Sequence, residues 1–264
     1  MHKRRFIFLG IFFAAAMLAG YAARRESDAS MRVTFLDVGD GRAILIQTPD
    51  GKHVLIDAGE DASVLRALGR AMSFYDRTID LLVLTDTDQA STSGAPDVFA
   101  RYRVRGVADA GGENKVVERS IANAGAPETI LGLNDAIDLG GGASAKVIFV
   151  RDGMLALEIS YGAARAAILP DGMTGNEENM LAAATDVASD VLLVPHAGAK
   201  LSVSDTFLSA AHPAYAVISV GSKNRYGYPD KTTLDAIAGS GARTVETSSG
   251  DIGFVSDGTP FRRE

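Results

Sequence analysis

From Met31 onward, short apolar runs alternate with clusters of turn-forming residues. The segment "MRVTFLDVGDGRAILIQTPDGKHVLIDAG" contains three strand-like runs, at 32–36, 42–48 and 53–57. Between the last two, "TPDG" at 48–51 puts Pro and Gly where a hairpin turn needs them. Residues 61–75 carry Val64, Leu65, Leu68 and Met72 at helical spacing. "IDLLVLT" reads as a buried strand, and "APDVFARY" opens another helix with proline near its start.

The second half repeats this style. "ALEISYG" and "ARAAILPDG" read as a strand pair, "NEENMLAAAT" as a helix, and "SDVLLVPHAGAK" as a strand leading into a loop. "SDTFLSAAH" is a helix that Ser204 or Asp205 caps, "YAVISVG" a strand, "KTTLDAIAGSG" a helix stopped by glycine, and "GDIGFVSDG" a last strand. Mixed elements in two similar halves predict an α/β protein with two sheets between layers of helices, an αββα four-layer sandwich. Its site then falls at strand-to-loop junctions.

The N-terminus has a different character. A basic start (Lys3, Arg4, Arg5) precedes an apolar run from Phe6 to about Gly20, short for a membrane span and suited to a signal-peptide core. Gly20 and Ala22 occupy small-residue cleavage positions, which predicts 1–22 as a signal peptide or N-terminal membrane anchor, 23–30 as a polar linker and 31–264 as the folded domain. Tyr21 stands where a lipoprotein signal has its cysteine. Either form of the leader implies a periplasmic or otherwise extracytoplasmic location, with membrane contact through this segment alone.

The 264 residues contain no cysteine, so disulfides and thiolate metal sites are excluded. The formal charge is −7, and removing 1–22 with its three basic residues makes it −10. Such a balance opposes non-specific attraction to nucleic acid phosphates.

"FLDVGDGRAILIQTPDGKHVLIDAG" resembles the opening of the metallo-β-lactamase-like domain of ComEC/Rec2 competence proteins, where a "DVGQGD" loop is followed by "LIDAG". "LLVLTDTDQASTSGAPDVF", "LLVPHAGAK" and "VISVGSKNRYGYP" resemble, in order, that family's metal-binding motif, its "PHHGS" region and its "NRYGHP" segment. The resemblance implies a metallo-β-lactamase-like sandwich, two metal ions and hydrolysis.

Carried over residue by residue, the H-x-D-x-D-H motif falls on Asp86, Asp88, Ala90 and Ser91. His196 keeps the first histidine of the downstream pair and Ala197 replaces the second. Asp171 matches the bridging acid, and Tyr228 replaces the last histidine ligand. The resemblance thus implies one surviving metal subsite (Asp86, Asp88, Asp171, His196) and one lost at Ala90, Ser91 and Tyr228. Three carboxylates and an imidazole would suit one ion of Mn²⁺, Ca²⁺ or Mg²⁺ better than Zn²⁺. The bland alternative is that Asp86 and Asp88 cap turns, His196 is a structural hydrogen bonder and Asp171 is a turn residue. Asp37, Asp40, Gly41 and Asp57 border the implied site and hold its loops, and Asn224, Arg225 and Tyr226 line the cleft edge.

Two functions follow. One is a catalytically degenerate member acting as a binding or accessory module, with no metal and an undefined partner. The other is a mononuclear metal-dependent hydrolase, phosphodiesterase- or nuclease-like, on the surviving subsite. Nucleic acid as a partner is implied by the family and opposed by the charge. A β-lactamase proper lacks its zinc ligands, and no catalytic residue is assigned.

Overall fold

Alternate side chains of the central strands enter two different cores, and this period of two organises the molecule. The computed structural model describes residues 30–171, 176–183 and 185–264. The expected leader at 1–22 and the linker up to residue 29 lie outside the described residues. Among the described residues, no helix is long and apolar enough to cross a membrane.

β1 (Met31–Phe35), β2 (Ile44–Gln47) and β3 (His53–Ile56) form an antiparallel meander. The expected turn joins the last two: Gly51 N donates to Thr48 O at 2.9 Å, and Gly51 has φ +84°, which glycine adopts without strain. Next come α1 (Ser63–Ala71), β4 (Thr78–Ile79), β5 (Leu81–Val83), α2 (Gln89–Thr92), α3 (Ala95–Arg101), β6 (Arg103–Val104), β7 (Val107–Asp109), α4 (Lys115–Ala124) and β8 (Glu128–Ile130). The second half holds β9 (Ala136–Gly140), β10 (Ala143–Arg151), β11 (Met154–Tyr161), β12 (Ala164–Ile168), α5 (Glu177–Ala182), β13 (Val191–Val194) and α6 (Asp205–Ala211). The chain ends with β14 (Tyr215–Ile218), α7 (Lys231–Ser240), β15 (Arg243–Glu246), β16 (Ile252–Ser256) and β17 (Arg262–Arg263).

Eight strands form one sheet in the order β17-β16-β1-β2-β3-β5-β7-β8, and seven form the other in the order β15-β14-β13-β12-β11-β10-β9. Met31, Val33, Phe35, Ile44, Ile46, Val54 and Ile56 of the first sheet share one core with Leu155, Leu157, Ile159, Ile168, Leu193 and Val217 of the second. Their neighbours Leu45, Leu55 and Leu82 face outward into a core with Val64, Leu68 and Val98 of α1 and α3. Leu192, Val194 and Ile218 likewise face Phe207, Leu208 and Ile237 of α6 and α7. Three cores between four layers make the αββα sandwich that the sequence predicted.

Strands β3, β5 and β7 run parallel, as do β12 to β15. The loops leaving the carboxyl ends of β1, β3 and β5 therefore emerge at one edge of the first sheet. Those leaving β12, β13 and β14 emerge at one edge of the second. Helix ends follow the sequence closely: Ser204 caps α6 by accepting from Phe207 N at 3.1 Å, and Gly241 closes α7 at φ +83°. The predicted helix at 61–75 is shorter, because Asp61 turns the chain by accepting from Ser63 N at 2.7 Å and Met72 is already extended. The elements between 103 and 153 were not assigned from the sequence: β8 is exposed throughout, and α4 turns only Val117 and Ile121, one turn apart, into the core.

Candidate functional site

The loop after β1 carries Arg42 inward between the two sheet edges. Its guanidinium donates from Nε to Asp57 Oδ2 at 2.6 Å and from Nη1 to Asp171 Oδ1 at 2.5 Å. Nη2 donates to Asp86 Oδ2 over a very short contact, to Ser91 Oγ at 2.6 Å and to Thr85 Oγ1 at 3.0 Å. Five acceptors thus surround a group with five N–H bonds. The Arg42 side chain is 4% exposed, those of Asp57 and Asp86 0% and 4%, and that of Asp171 24%, so the cluster is buried with Asp171 at its open side.

Each partner is placed by its strand end. Asp57 follows β3 at φ +58° and receives Thr85 N at 2.8 Å and Thr85 Oγ1 at 2.6 Å. Thr85 and Asp86 follow β5, and Asp171 follows β12. Arg42 itself is fixed by its backbone: its N donates to Ala90 O at 3.0 Å and its O accepts from Gly59 N at 2.9 Å. That approach requires glycine at 41, where a Cβ would lie 2.6 Å from both Ala90 O and Glu60 N.

Burial disfavours the Arg42 charge, but Asp171, Asp57 and Asp86 outweigh it and hold the guanidinium well above its ordinary value. Asp57 is pushed up to about 6, first by burial, opposed by Arg42 and reinforced by the Asp86 charge. Desolvation and then Asp86 also raise Asp88 above the usual carboxylate range.

Asp40, Asp88, Ala90, His196, Tyr226 and Tyr228 line a cleft of about 380 Å³ beside this cluster, whereas Asn224 and Arg225, expected at its edge, are not among the lining residues. Asp88 Oδ1 caps α2 by accepting from Ser91 N at 3.1 Å, while Asp86 Oδ1 accepts from Asp88 N at 3.0 Å. His196 is exposed and touches Asp171 through its backbone, donating from N to Oδ1 at 2.7 Å. His196 and Ala197 both take left-handed angles, φ +52° and +49°, an unfavourable conformation for side-chain-bearing residues that surrounding structure must hold. The His196 ring meets the Tyr228 ring edge-on, with centroids 6.0 Å apart. Tyr228 stacks on Tyr226 at 5.6 Å, and the Arg225 guanidinium lies over Tyr226 at 5.1 Å. Asn224 ties this loop together: its Nδ2 donates to Tyr228 O at 2.6 Å and its Oδ1 accepts from Tyr228 N at 3.0 Å. Asp37 sits apart, in the turn after β1, with Asp251 Oδ1 accepting from its N at 2.7 Å.

Of the four residues expected in one metal subsite, the fold brings Asp86 and Asp171 onto Arg42, and leaves Asp88 and His196 on the cleft wall. A metal ion needs carboxylate lone pairs converging on one point. Here Asp86 and Asp171 each give an oxygen to a guanidinium whose positive charge lies between them. Among the described residues, no three His, Asp or Glu side chains are arranged to hold one ion. The donor set as it stands does not fit a metal.

Arg42 was the functional residue that sequence reading passed over, as the first residue of a strand. A signal was present. In the family's "DVGQGD" loop an acidic residue stands where "DVGDGR" has Arg42, a reversal of charge beside the positions where ligands are missing. Ala90 and Ser91 are not idle either, since both accept hydrogen bonds from Arg42.

No family model matches the chain. Competence protein ComA of Neisseria gonorrhoeae is 26% identical over an alignment covering 92% of this chain. The chain spans 35% of that relative's length. Zn²⁺-bound PqqB from Methylobacterium extorquens superimposes with a TM-score of 0.57 at 14% identity, covering 78% of this chain and 85% of that one. Tm1679, a metal-dependent hydrolase of the β-lactamase superfamily, gives 0.55 at 10% identity, covering 84% and 98%. These two likenesses establish the fold alone. The chain thus has the metallo-β-lactamase fold, and its sequence is similar to that of competence protein ComA.

Proposed function

We propose that this protein is a catalytically degenerate metallo-β-lactamase-fold protein, in which Arg42 stands in for the metal centre and the cleft serves as a binding or accessory module. The observation that carries this reading is the single guanidinium bound to Asp57, Asp86 and Asp171. A two-metal hydrolase uses its ions to generate hydroxide and to hold attacking and leaving oxygens. A buried guanidinium satisfies the same carboxylates but has no open coordination position and cannot ionise a water molecule. The fold is then held at its site edge by a covalently attached cation.

Export fits the N-terminal pattern at 1–22, whether that segment is cleaved or retained as an anchor. The relative's name associates it with competence, so a competence-related role is the setting for this reading. The alternative is a mononuclear hydrolase using Asp86, Asp88, Asp171 and His196, which would require Arg42 to withdraw. Thermal melting in EDTA, Mn²⁺, Ca²⁺, Mg²⁺ and Zn²⁺ separates the two. The degenerate reading expects one melting temperature in all five. A rise with one metal, abolished by Asp88→Ala with His196→Ala, would favour the hydrolase.

A further inference from the structure

We infer that the cleft beside the Arg42 cluster binds an organic cation carrying an alkylammonium or guanidinium group. This rests on the reading that no metal ion sits at the cleft floor. A metal-bearing cleft recruits anions, and here that polarity is inverted. Asp40, Asp88 and Asp171 line the cleft, and Tyr226, Tyr228 and the His196 ring form its aromatic wall. Among the described residues, neither lysine nor arginine lines it. Arg42 lies behind the floor and is committed to three carboxylates, while the exposed Arg225 guanidinium lies over the Tyr226 ring.

An anion entering this space would meet an excess of negative charge, since Asp40, Asp57, Asp86, Asp88 and Asp171 outnumber the Arg42 and Arg225 guanidiniums. A cation would meet carboxylate oxygens and the Tyr228 ring, the two kinds of surface that stabilise ammonium and guanidinium groups. The chain already uses both on itself, binding the Arg42 guanidinium with aspartates and the Arg225 guanidinium with Tyr226. A volume of about 380 Å³ suits a group of side-chain size. Asn224 pins the loop carrying both tyrosines and leaves Tyr226 59% exposed.

The ligand is either a free amine or guanidine compound, or an Arg or Lys side chain of a polypeptide. Calorimetric titration of the full-length chain at low salt decides the matter, with agmatine, a blocked arginine-containing tetrapeptide and inorganic phosphate as separate probes. Saturable binding of agmatine or the peptide, and none of phosphate, is expected. Tighter binding of the peptide identifies a polypeptide source, and equal or weaker binding a small molecule. Asp88→Asn keeps the α2 cap while deleting a charge, and Gln89→Lys adds an opposing charge on the exposed wall. Each should weaken the binding about tenfold or more. No saturable binding of either cation, or affinity indifferent to Gln89→Lys, overturns the inference. If melting is also indifferent to metals, the degenerate reading survives that failure; a metal-dependent melting shift would instead remove both.

Discussion

Arg42 Nη1 and Asp171 Oδ1 lie 2.5 Å apart although the residues are 129 positions apart, one entering the first sheet and the other leaving the second. This ion pair closes the sandwich at its site edge. Because Asp57 and Asp86 belong to the first sheet's loops, one guanidinium organises three strand ends at once.

Removing that cation should therefore cost far more than an ordinary salt bridge. Arg42→Ala leaves three buried or half-buried carboxylates unpaired, and a loss of about 3–5 kcal/mol is expected. Arg42→Lys should recover little, since one ammonium cannot span five acceptors in a fork. Urea unfolding of both variants checks this, and near-wild-type stability of Arg42→Ala would refute it.

The pH dependence has a definite sign. The folded value of Asp57 is raised to about 6, above its ordinary carboxylate value. The native state therefore binds this proton more readily than the unfolded chain. The contribution is fully present below the ordinary carboxylate pKa and is lost as pH rises through 6. Melting temperature should rise as pH falls from 7 towards 5, and Asp57→Asn should flatten that slope. A wild-type protein that loses stability over this interval, with Asp57→Asn behaving the same way, would contradict the assignment.

Gly41→Ala tests the positioning of Arg42 without touching its charge. A Cβ at 41 would sit 2.6 Å from Ala90 O and Glu60 N, both backbone atoms that cannot step aside alone. Destabilisation of about 2–4 kcal/mol is expected, measured by the shift in the urea midpoint at constant slope.

Asn224→Ala should separate binding from folding. Its side chain makes its bonds within one surface loop, so stability should fall by only about 1 kcal/mol. The tyrosine wall would lose its anchor, and agmatine affinity should fall severalfold in the same preparation. Unchanged affinity would show that the wall is held by other contacts.

The fold was legible because burial on both faces of each sheet gives short unbroken apolar runs bounded by turn residues, as in "VLI" of β3 and "VLLV" of β13. β8 was not, because an exposed edge strand has no apolar face to reveal it, and the short β9 gives only Ile137 and Leu139 to the core. The resemblance pointed to Asp86, Asp88, Asp171, His196, Ala90, Ser91 and Tyr228, which the fold gathers around the Arg42 cluster and its cleft. What they do was not legible. The role of Arg42 depends on contacts with residues up to 129 positions away, and a basic residue beside a glycine turn carries no local sign of burial.

The most direct measurement is metal content per chain of the wild type and of Arg42→Asp, both purified without chelator and dialysed against Zn²⁺ or Mn²⁺. The account predicts a negligible fraction of an equivalent in the wild type, and measurable uptake by the variant once the guanidinium no longer occupies the aspartates. About one equivalent in the wild type, retained against dialysis and lost in Asp88→Ala with His196→Ala, would mean that Arg42 yields its place and that the cleft is a metal centre.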